Sequence, residues 1–460
     1  MHRTSMIRGL SQVARGAYCV FHHPLAKFPG PRVAAVSNLW YAYHWMSGRY
    51  PWAIEDAFRK YGPVVRIAPN ELVFYTPQAF TDIYATQHRG LESFPKTDFQ
   101  DRGKDLGGIA WENDPVRHRE VAKKLAPAFS SRAIRAMEPL VHEYMDYFIQ
   151  RMKDLGPSAA GGVSLLDWTN WLALDLAADL AWGQKMHEMR NMKSATYLEA
   201  LLAFNSFATV MQVFKKFPLL VLLQYFFVPL HKLGAFVAME TATRQATLRC
   251  IDMIGKTEHP DFFDYILPPD EPKPTEKRQL VHLGSLGLQM MFANWGPMAD
   301  WWYGTLLYLL DEPACYSHLV KEIRGNIYSY DDINPTTLAS LPFLHACLEE
   351  TLRLLPTNLT GLPRYSPGAV VDGYFVPKGT TVQSSIFTLA RSPDYIRDPL
   401  CYRPQHELKS LPFFSLGPRA CLGREMAWMQ GKLFLAKVLW VFDVVKVTLR
   451  RKILGLRPCS

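Results

Sequence analysis

Apolar residues follow a helical spacing over most of the chain. Between about residues 115 and 255 they recur every three or four positions, as in the stretch His142–Met152. The same period marks the runs from about Val281 to Leu310, from Leu344 to Leu355 and from Leu422 to Phe442. We therefore predict that long helices form most of this protein.

β-Branched residues in alternation indicate a few short strands. Val64–Phe74 is typical of a hairpin with Pro69 and Asn70 at its turn. Further strands are predicted around Ala369–Val371, Tyr374–Val376 and Thr381–Ile386, separated by the Asp372-Gly373 and Lys378-Gly379 turns. The predicted fold class is mostly α with a small β portion, and no internal repeat or alternation of strands and helices suggests a doubly wound sheet.

The N-terminal part and one internal stretch depart from this helical pattern. The segment His22–Pro31 is rich in proline and predicts an extended conformation, so we divide the chain into a lead segment, residues 1–31, and a single domain, residues 32–460. The apolar stretch Phe217–Val228 is too short to span a membrane. We interpret it either as a helix on a membrane surface or as a buried core helix.

Composition narrows the choice of partners. With 460 residues, 48% of them hydrophobic, the chain can bury a large core, and 20% charged residues argue against long disorder. The net charge of +9 favours acidic partners or anionic lipid, although a solvated basic surface with no partner explains it equally well. No recognition motif accompanies the basic residues, so we predict that nucleic acid is not bound.

The strongest chemical signal is the segment Phe414-Ser-Leu-Gly-Pro-Arg-Ala-Cys-Leu-Gly, which ends at Gly423. A thiolate is a strongly donating iron ligand, and Cys421 stands at the predicted start of a helix, where the dipole favours its anion. Gly417 and Gly423 allow tight turns beside a flat ring, Arg419 can neutralise a propionate, and Phe414 can shield the sulfur. The alternative is a buried structural cysteine.

This motif resembles the cysteine loop of cytochrome P-450, a family of haem-thiolate monooxygenases, and the resemblance covers nearly the whole chain. The stretch His23–Pro31 is similar to the opening of fungal members, which often act in secondary metabolism. The resemblance implies a P-450 fold enclosing haem b with Cys421 as iron ligand, and electrons from NADPH through a separate flavin-containing reductase. It also implies a lipophilic substrate, such as a terpenoid or polyketide, and a peripheral position on the cytosolic face of the endoplasmic reticulum membrane.

Glu350 and Arg353 match the Glu-x-x-Arg pair that the family places behind the cysteine loop. Residues at i and i+3 share a helix face, so the two side chains can pair and clamp a passing segment. In the family an arginine completes this clamp, whereas here its place is taken by His406, with Arg403 as an alternative partner.

Arg364, in the sequence Gly361-Leu-Pro-Arg, resembles a family arginine that binds a haem propionate. His118 and Lys123 take the corresponding positions on the helix across the ring. A cation facing a carboxylate is the physical requirement, and a surface charge is the alternative explanation for each of the three.

The predicted helix before Pro313 departs from the family's pattern. Oxygen-activating members usually carry an acid and an alcohol over the haem, and here Gly296 and Pro297 take those places. With Asn294 they resemble the cholesterol 7-hydroxylase and prostacyclin synthase branch, of which one member hydroxylates and the other isomerises. Pro297 predicts a kink, and Asp300 is a poor substitute for the missing acid.

The bulky apolar residues of that helix, among them Met290, Trp295 and Trp302, are mostly core by default, and some are expected to line a pocket for a lipophilic substrate. We expect a monooxygenase that acts on such a substrate. The alternatives are an oxygen-independent isomerase or dehydratase and a degenerate haem-binding protein without turnover. The last is suggested by Gly296, Pro297, His406 and a C-terminal tail shorter than that of most members.

Overall fold

The structure, a computed structural model, describes residues 14, 16–98, 107–156, 162–194, 196–227, 233–256, 261–267, 272–357, 359–406, 408 and 411–447. Its α-helices are α1 Arg32–Val36, α2 Leu39–Met46, α3 Tyr50–Tyr61, α4 Pro77–Tyr84, α5 Pro115–Leu125, α6 Ser131–Leu155, α7 Leu165–Trp182, α8 Glu188–Asn191, α9 Thr196–Lys215, α10 Leu233–Met253, α11 Phe262–Ile266, α12 Lys277–Asp311, α13 Pro313–Asn326, α14 Pro335–Leu338, α15 Pro342–Leu354, α16 Ile386–Leu389 and α17 Arg424–Val441. Short 3-10 helices include Ala126–Phe129, Pro218–Phe227, Tyr330–Asp332 and Gly417–Arg419. The mostly α fold class is confirmed.

The strands are few and short: β1 Val64–Ala68, β2 Glu71–Phe74, β3 Gln87–His88, β4 Leu91–Glu92, β5 Arg364–Tyr365, β6 Ala369–Val371, β7 Tyr374–Val376 and β8 Thr381–Ser384. Four of them form one sheet in the order β1-β2-β8-β5, in which β2 and β8 run parallel. The predicted hairpin with its turn at Pro69 and Asn70 is confirmed. An isolated bridge pairs Arg364 with Lys96 and so extends the edge of this sheet.

Helix α12 runs through the middle of the largest hydrophobic cluster. It packs against α7, α10, α15 and α17, and its Trp302 is almost fully buried and stacks on Phe434 of α17. Because α17 follows directly after Cys421, this packing fixes the position of the cysteine relative to α12. The predicted bounds of α12, α15 and α17 differ from the observed ones by no more than four residues.

The prediction that His22–Pro31 is extended is wrong for most of this segment. Residues 22–28 form successive turns, and Leu25 and Phe28 are buried in a second hydrophobic cluster with residues of β2 and β8. The guanidinium of Arg66 donates to the carbonyl of Cys19 at 2.8 Å. Burial of these apolar side chains draws the segment onto the body, so residue 31 marks no boundary within the described residues.

The apolar stretch Phe217–Val228 forms the 3-10 helix Pro218–Phe227, and Val228 lies outside the described residues. Its side chains point outward: Leu219 is 99% and Phe226 84% exposed. The interpretation as a buried core helix is therefore wrong. None of the helices in the described ranges combines the length and apolar character needed to cross a membrane.

Helix α11 contacts the cysteine loop indirectly, through Phe129. The Phe262 ring lies 5.3 Å from the ring of Phe129, whose edge approaches Gly423. Asp261 caps α11 by accepting from the amides of Phe263 and Asp264 at 2.7 and 3.1 Å. Burial, together with the nearby Asp264 carboxylate, raises the pKa of Asp261 to about 7.

This raised pKa predicts a pH-dependent stability. Between about pH 4 and pH 7 the folded state keeps the Asp261 proton that the unfolded state has lost, so the free energy of unfolding falls as pH rises through this window. Asp261→Asn retains the capping oxygen without the charge. It should raise the free energy of unfolding by about 2 kcal/mol more at pH 8 than at pH 5. Urea unfolding at both values measures this, and an equal change at both would contradict it.

Candidate active site

The cysteine loop is held by its own backbone before α17 begins. The Cys421 amide donates to the Phe414 carbonyl at 2.8 Å, and the Gly423 amide donates to the Cys421 sulfur. Helix α17 begins at Arg424, so Cys421 lies three residues before the first helical position. Burial raises the pKa of the Cys421 thiol, and the Gly423 amide partly offsets that rise. The side chain nevertheless remains open on one side.

The two glycines of the loop have different reasons to be glycine. Gly417 has a φ of +68°, and a Cβ there would lie 2.2 Å from the Tyr84 carbonyl oxygen, so only glycine fits. At Gly423 the backbone φ of −83° suits any residue, and a Cβ would meet Phe129 and the Cys421 sulfur at ordinary distances. Leu422 and Gly423 form the expected turn, but the backbone conformation of Gly423 does not require glycine. Its missing side chain leaves space beside the sulfur.

Aromatic side chains connect the loop to α12. The rings of Phe414 and Trp428 lie 6.4 and 5.1 Å from that of Trp301 on α12. The indole of Trp301 donates to the Leu348 carbonyl of α15 at 2.8 Å. The cysteine loop, α12 and α15 thus form one packed unit in which Cys421 has a fixed position.

Glu350 and Arg353 form a fully buried ion pair on α15. The guanidinium binds both carboxylate oxygens, at 2.7 and 2.8 Å. It also donates to the carbonyls of Ala390, Pro399 and Cys401. Since both side chains are fully buried, the pair fixes the course of the chain that leads to the cysteine loop.

His406 lies where the sequence places the third member of this clamp. Its Nδ1 is 3.0 Å from Oε1 of Glu350, the same oxygen that accepts from the Arg403 amide at 2.8 Å. The guanidinium of Arg403 pairs instead with Asp398 at the surface. Arg403 therefore contributes its backbone alone, and the imidazole occupies the remaining side of the carboxylate.

Four basic side chains converge on the other side of the cysteine loop. Arg419, Arg364, Lys96 and His118 come from the loop, from β5, from the bridge paired with β5 and from α5. Arg419 pairs with Glu92 at 2.6 Å and donates to the carbonyls of Glu112 and Asn113. We refer to these four side chains as the basic cluster.

The basic cluster holds more positive than negative charge, and the lowered pKa values of His118 and Arg364 show the effect of burial and mutual repulsion. The pKa of His118 falls to about 3 because of burial and the nearby Arg419, Lys96 and Arg364. Burial, with Arg419 beside it, lowers the pKa of Arg364 to about 10. Arg364 is 4% exposed and forms no ion pair with any described residue. A ligand that carries two carboxylates fits such a cluster.

Lys123 does not join the basic cluster. It is exposed, because a residue five positions after His118 lies about 140° around the helix. Ala122, one turn after His118, lines the same cleft instead. The prediction that Lys123 binds a propionate is therefore not supported. The helix places the methyl group of Ala122, and not the Lys123 side chain, beside His118.

Lys96 and Glu92 were missed by the sequence reasoning. Lys96 donates to the Ala110 carbonyl, and its position beside Arg364 arises from a strand bridge between residues 268 positions apart. Glu92 meets Arg419 across 327 positions. No local sequence motif marks either residue. Only their contacts with distant residues in the folded chain show that they belong to the site.

One face of helix α12 carries small residues and is partly open to solvent. Ala293 and Asp300 are exposed and Gly296 and Pro297 half-buried, and a Cβ at Gly296 would meet nothing within 4 Å. Pro297 lies inside the helix, and since it has no N–H, the Ala293 carbonyl does not receive its usual hydrogen bond. The following larger side chains are instead buried in the core: Met290, Met291, Trp295, Met298, Trp301 and Trp302.

Asn294 and Asp300 of α12 have polar groups without partners among the described residues, as do the buried indoles of Trp295 and Trp302. The buried Nδ2 of Asn294 has no hydrogen-bond acceptor. Asp300 forms no hydrogen bond or ion pair, and burial raises the pKa of its carboxyl group. At the positions of Gly296 and Pro297 no side chain can donate or accept a proton.

These features fit a haem. An exposed thiol stands in a loop that packs against α12 through Phe414 and Trp301, and Arg364 beside that loop has no ion pair among the described residues. A haem needs a ligand for its iron and cations for its two propionates. Among the described residues no group of three or more His, Cys, Asp or Glu could hold a metal ion by itself.

Comparison with known proteins agrees with this geometry. Residues 29–454 match the family model described as Cytochrome P450. Cytochrome P450 monooxygenase TwmD of Talaromyces wortmannii is 44% identical over 94% of this chain and 88% of its own length. The monooxygenases poxC of Penicillium oxalicum and BOA3 of Botryotinia fuckeliana are 33% and 31% identical, over 94% and 93% of this chain and 85% and 87% of theirs.

The buried clamp yields a stability prediction. Arg353→Lys removes the guanidinium's multiple contacts and leaves Glu350 poorly paired, so we expect a loss of about 3–5 kcal/mol in the free energy of unfolding. The control is Arg59→Lys, which alters a pair whose arginine is 65% exposed and should change it by less than about 0.5 kcal/mol. Denaturant unfolding measures both, and similar losses would contradict the assigned role.

Proposed function

This chain belongs to the cytochrome P450 family, and on that premise we propose that it is a monooxygenase of fungal secondary metabolism, whose substrate is a lipophilic natural product such as a terpenoid or polyketide. The observation that carries the proposal is the exposed thiol of Cys421, in a loop that packs against α12 through Phe414 and Trp301 and lies beside the basic cluster. The apolar surroundings of α12 favour a lipophilic substrate.

Cys421 would hold the haem iron, and the basic cluster would hold the propionates. Haem bound to a thiolate supplies the chemistry of dioxygen activation. Arg364 would gain the negative charge that it lacks and His118 would donate a hydrogen bond to a propionate, while Glu350, Arg353 and His406 would hold the loop in place. Phe414 fixes the Cys421 amide through its carbonyl.

The distal residues define what the chain itself can do over the ring. Ala293 and Gly296 would leave room for a small molecule beside a bound haem, since a Cβ at Gly296 meets nothing within 4 Å, and the Asn294 side chain offers an unused amide donor nearby. Because Gly296 and Pro297 carry no exchangeable proton, we propose that protons come from water or from a substrate hydroxyl.

Electrons would come from NADPH through a separate flavin-containing reductase. Arg117, Arg119, Lys123 and Lys124 are exposed on α5, and the next segment carries Phe129 to within 3.8 Å of the Cβ position of Gly423. A basic surface this close to the cysteine loop suits an acidic reductase face. Lys123 would thus serve docking rather than haem binding.

Peripheral attachment to the cytosolic face of the endoplasmic reticulum membrane is the third part of the proposal. The exposed apolar side chains of Pro218–Phe227 continue onto α2, where Leu39 and Tyr43 are 60% and 70% exposed. The Asn38 amide donates to the Lys216 carbonyl at 3.0 Å and joins the two segments. Such a patch fits the interface of a bilayer.

Turnover distinguishes a monooxygenase from the two alternatives. In a reconstituted mixture with a fungal flavin reductase and a panel of terpenoids and polyketides, product should require both NADPH and dioxygen and contain one oxygen atom from labelled dioxygen. Product formed without either would indicate an isomerase or dehydratase. Binding of panel compounds with no product from any would indicate a protein without turnover.

The membrane patch is tested by vesicle flotation. Phe226→Glu places a charge in the patch and should lower the fraction bound to phosphatidylcholine–phosphatidylserine vesicles several-fold. Tyr328→Glu alters a side chain of similar exposure, 88% against 84%, outside the patch and should leave binding unchanged. Equal effects of the two substitutions would contradict attachment through Pro218–Phe227.

A further inference from the structure

One face of α12 holds the backbone of the loop Gly107–Ala110. His282 Nδ1 accepts from the Gly108 amide at 3.0 Å, and Ser285 Oγ donates to the Gly107 carbonyl at 3.2 Å. Gln289 Oε1 accepts from the amides of Ile109 and Ala110, at 2.8 and 2.7 Å. The spacing of 282, 285 and 289 places all three side chains on the same face of the helix.

Gln289 is the centre of this arrangement. Besides its two accepted bonds, its Nε2 donates to the Gly107 carbonyl at 3.3 Å and to Ser285 Oγ at 3.0 Å. Its side chain amide has two donor hydrogens and two acceptor sites, and all four are used. Since Gln289 is only 7% exposed, these bonds are shielded from water and position the loop closely.

The glycines of the loop make this approach possible. A Cβ on Gly108 would lie 1.9 Å from Nε2 of Gln289, and one on Gly107 would lie 2.4 Å from Nδ1 of His282. Both glycines have positive φ, +58° and +90° for Gly107 and Gly108. The backbone therefore comes against α12 at a distance that no other residue allows.

The held loop lies beside the proposed haem pocket. Gln289 precedes Ala293 by one turn and Gly296 by two, so it belongs to the α12 face that the small residues share. At the other end of the loop, Lys96 of the basic cluster donates to the Ala110 carbonyl. Gly107–Ala110 thus spans from α12 to the basic cluster, with Ile109 packed against the main core.

We propose that Gln289 is a positioning residue that determines specificity: it fixes Gly107–Ala110 as one wall of the substrate pocket. The proposal rests on the proposed haem pocket and goes beyond it, because it assigns the shape of the wall to one side chain amide. An apolar ligand long enough to reach past the iron contacts this wall, whereas a small ligand at the iron does not.

The test compares Gln289→Leu with the wild type as haem-loaded proteins. Loss of the acceptor should raise the hydrogen exchange rates of the Ile109 and Ala110 amides at least tenfold. Affinity for 4-phenylimidazole, measured by its optical shift, should fall about tenfold, which corresponds to about 1.4 kcal/mol. Affinity for imidazole itself should stay within twofold, since imidazole does not reach the wall.

Two further variants separate the contact from general damage. Gln430→Leu removes another fully buried amide, one without hydrogen-bond partners among the described residues, and should change none of the three readouts. Gly108→Ala should reproduce the Gln289→Leu result. Gly373→Ala should not, because Gly373 has a similar positive φ but nothing near its Cβ position.

The outcomes discriminate clearly. Unchanged exchange at Ile109 and Ala110 in Gln289→Leu would overturn the positioning role. The specificity role would be overturned if exchange became faster but the affinities for both imidazoles fell equally or did not fall at all. A higher affinity for 4-phenylimidazole would overturn it as well. A wild type that shows no thiolate spectrum would instead overturn the proposed haem function, while the exchange data would still decide whether Gln289 holds the loop.

Discussion

The buried guanidinium of Arg353 is the interaction on which the arrangement around Cys421 depends. It is held by Glu350 and in turn holds three backbone carbonyls between Ala390 and Cys401. A charge of this kind is stable in the interior only when its partners are complete, so the chain has little freedom where it passes α15. His406 then completes the carboxylate's coordination, and the cysteine loop begins eight residues later, at Phe414. An imidazole in place of the family's arginine preserves the contact with a smaller group.

Charge also explains the other side of the site. Proteins seldom bury several cations together without anions, because each raises the free energy of the next. Here Glu92 pairs with Arg419, whereas Arg364 has no ion pair among the described residues, and His118, with its pKa of about 3, is uncharged at neutral pH. The cluster therefore destabilises the protein alone, and a bound ring that carries two carboxylates would offset that destabilisation.

Local sequence was sufficient where a single segment carries the chemistry. The motif around Cys421, the pair at Glu350 and Arg353, and the proline in α12 all come from short patterns with a known period. Lys123 was misassigned because residue type was given more weight than the angle around the helix. Lys96, Glu92 and the loop held by Gln289 could not be predicted, since strand bridges and side chain to backbone bonds bring them together from distant parts of the chain. The prediction of an extended lead segment was wrong for a similar reason, because burial of Leu25 and Phe28 outweighed the local preference of proline for extended backbone.

The central claim is that Cys421 binds haem iron through its sulfur. The most direct measurement is the optical spectrum of the reduced, haem-loaded protein under carbon monoxide, taken for the wild type and for Cys421→Ser. A thiolate ligand predicts a strongly red-shifted Soret band in the wild type and its loss in the variant, with most of the helical circular dichroism retained. A wild-type spectrum without that band, or a red-shifted band that survives the substitution, would contradict the account.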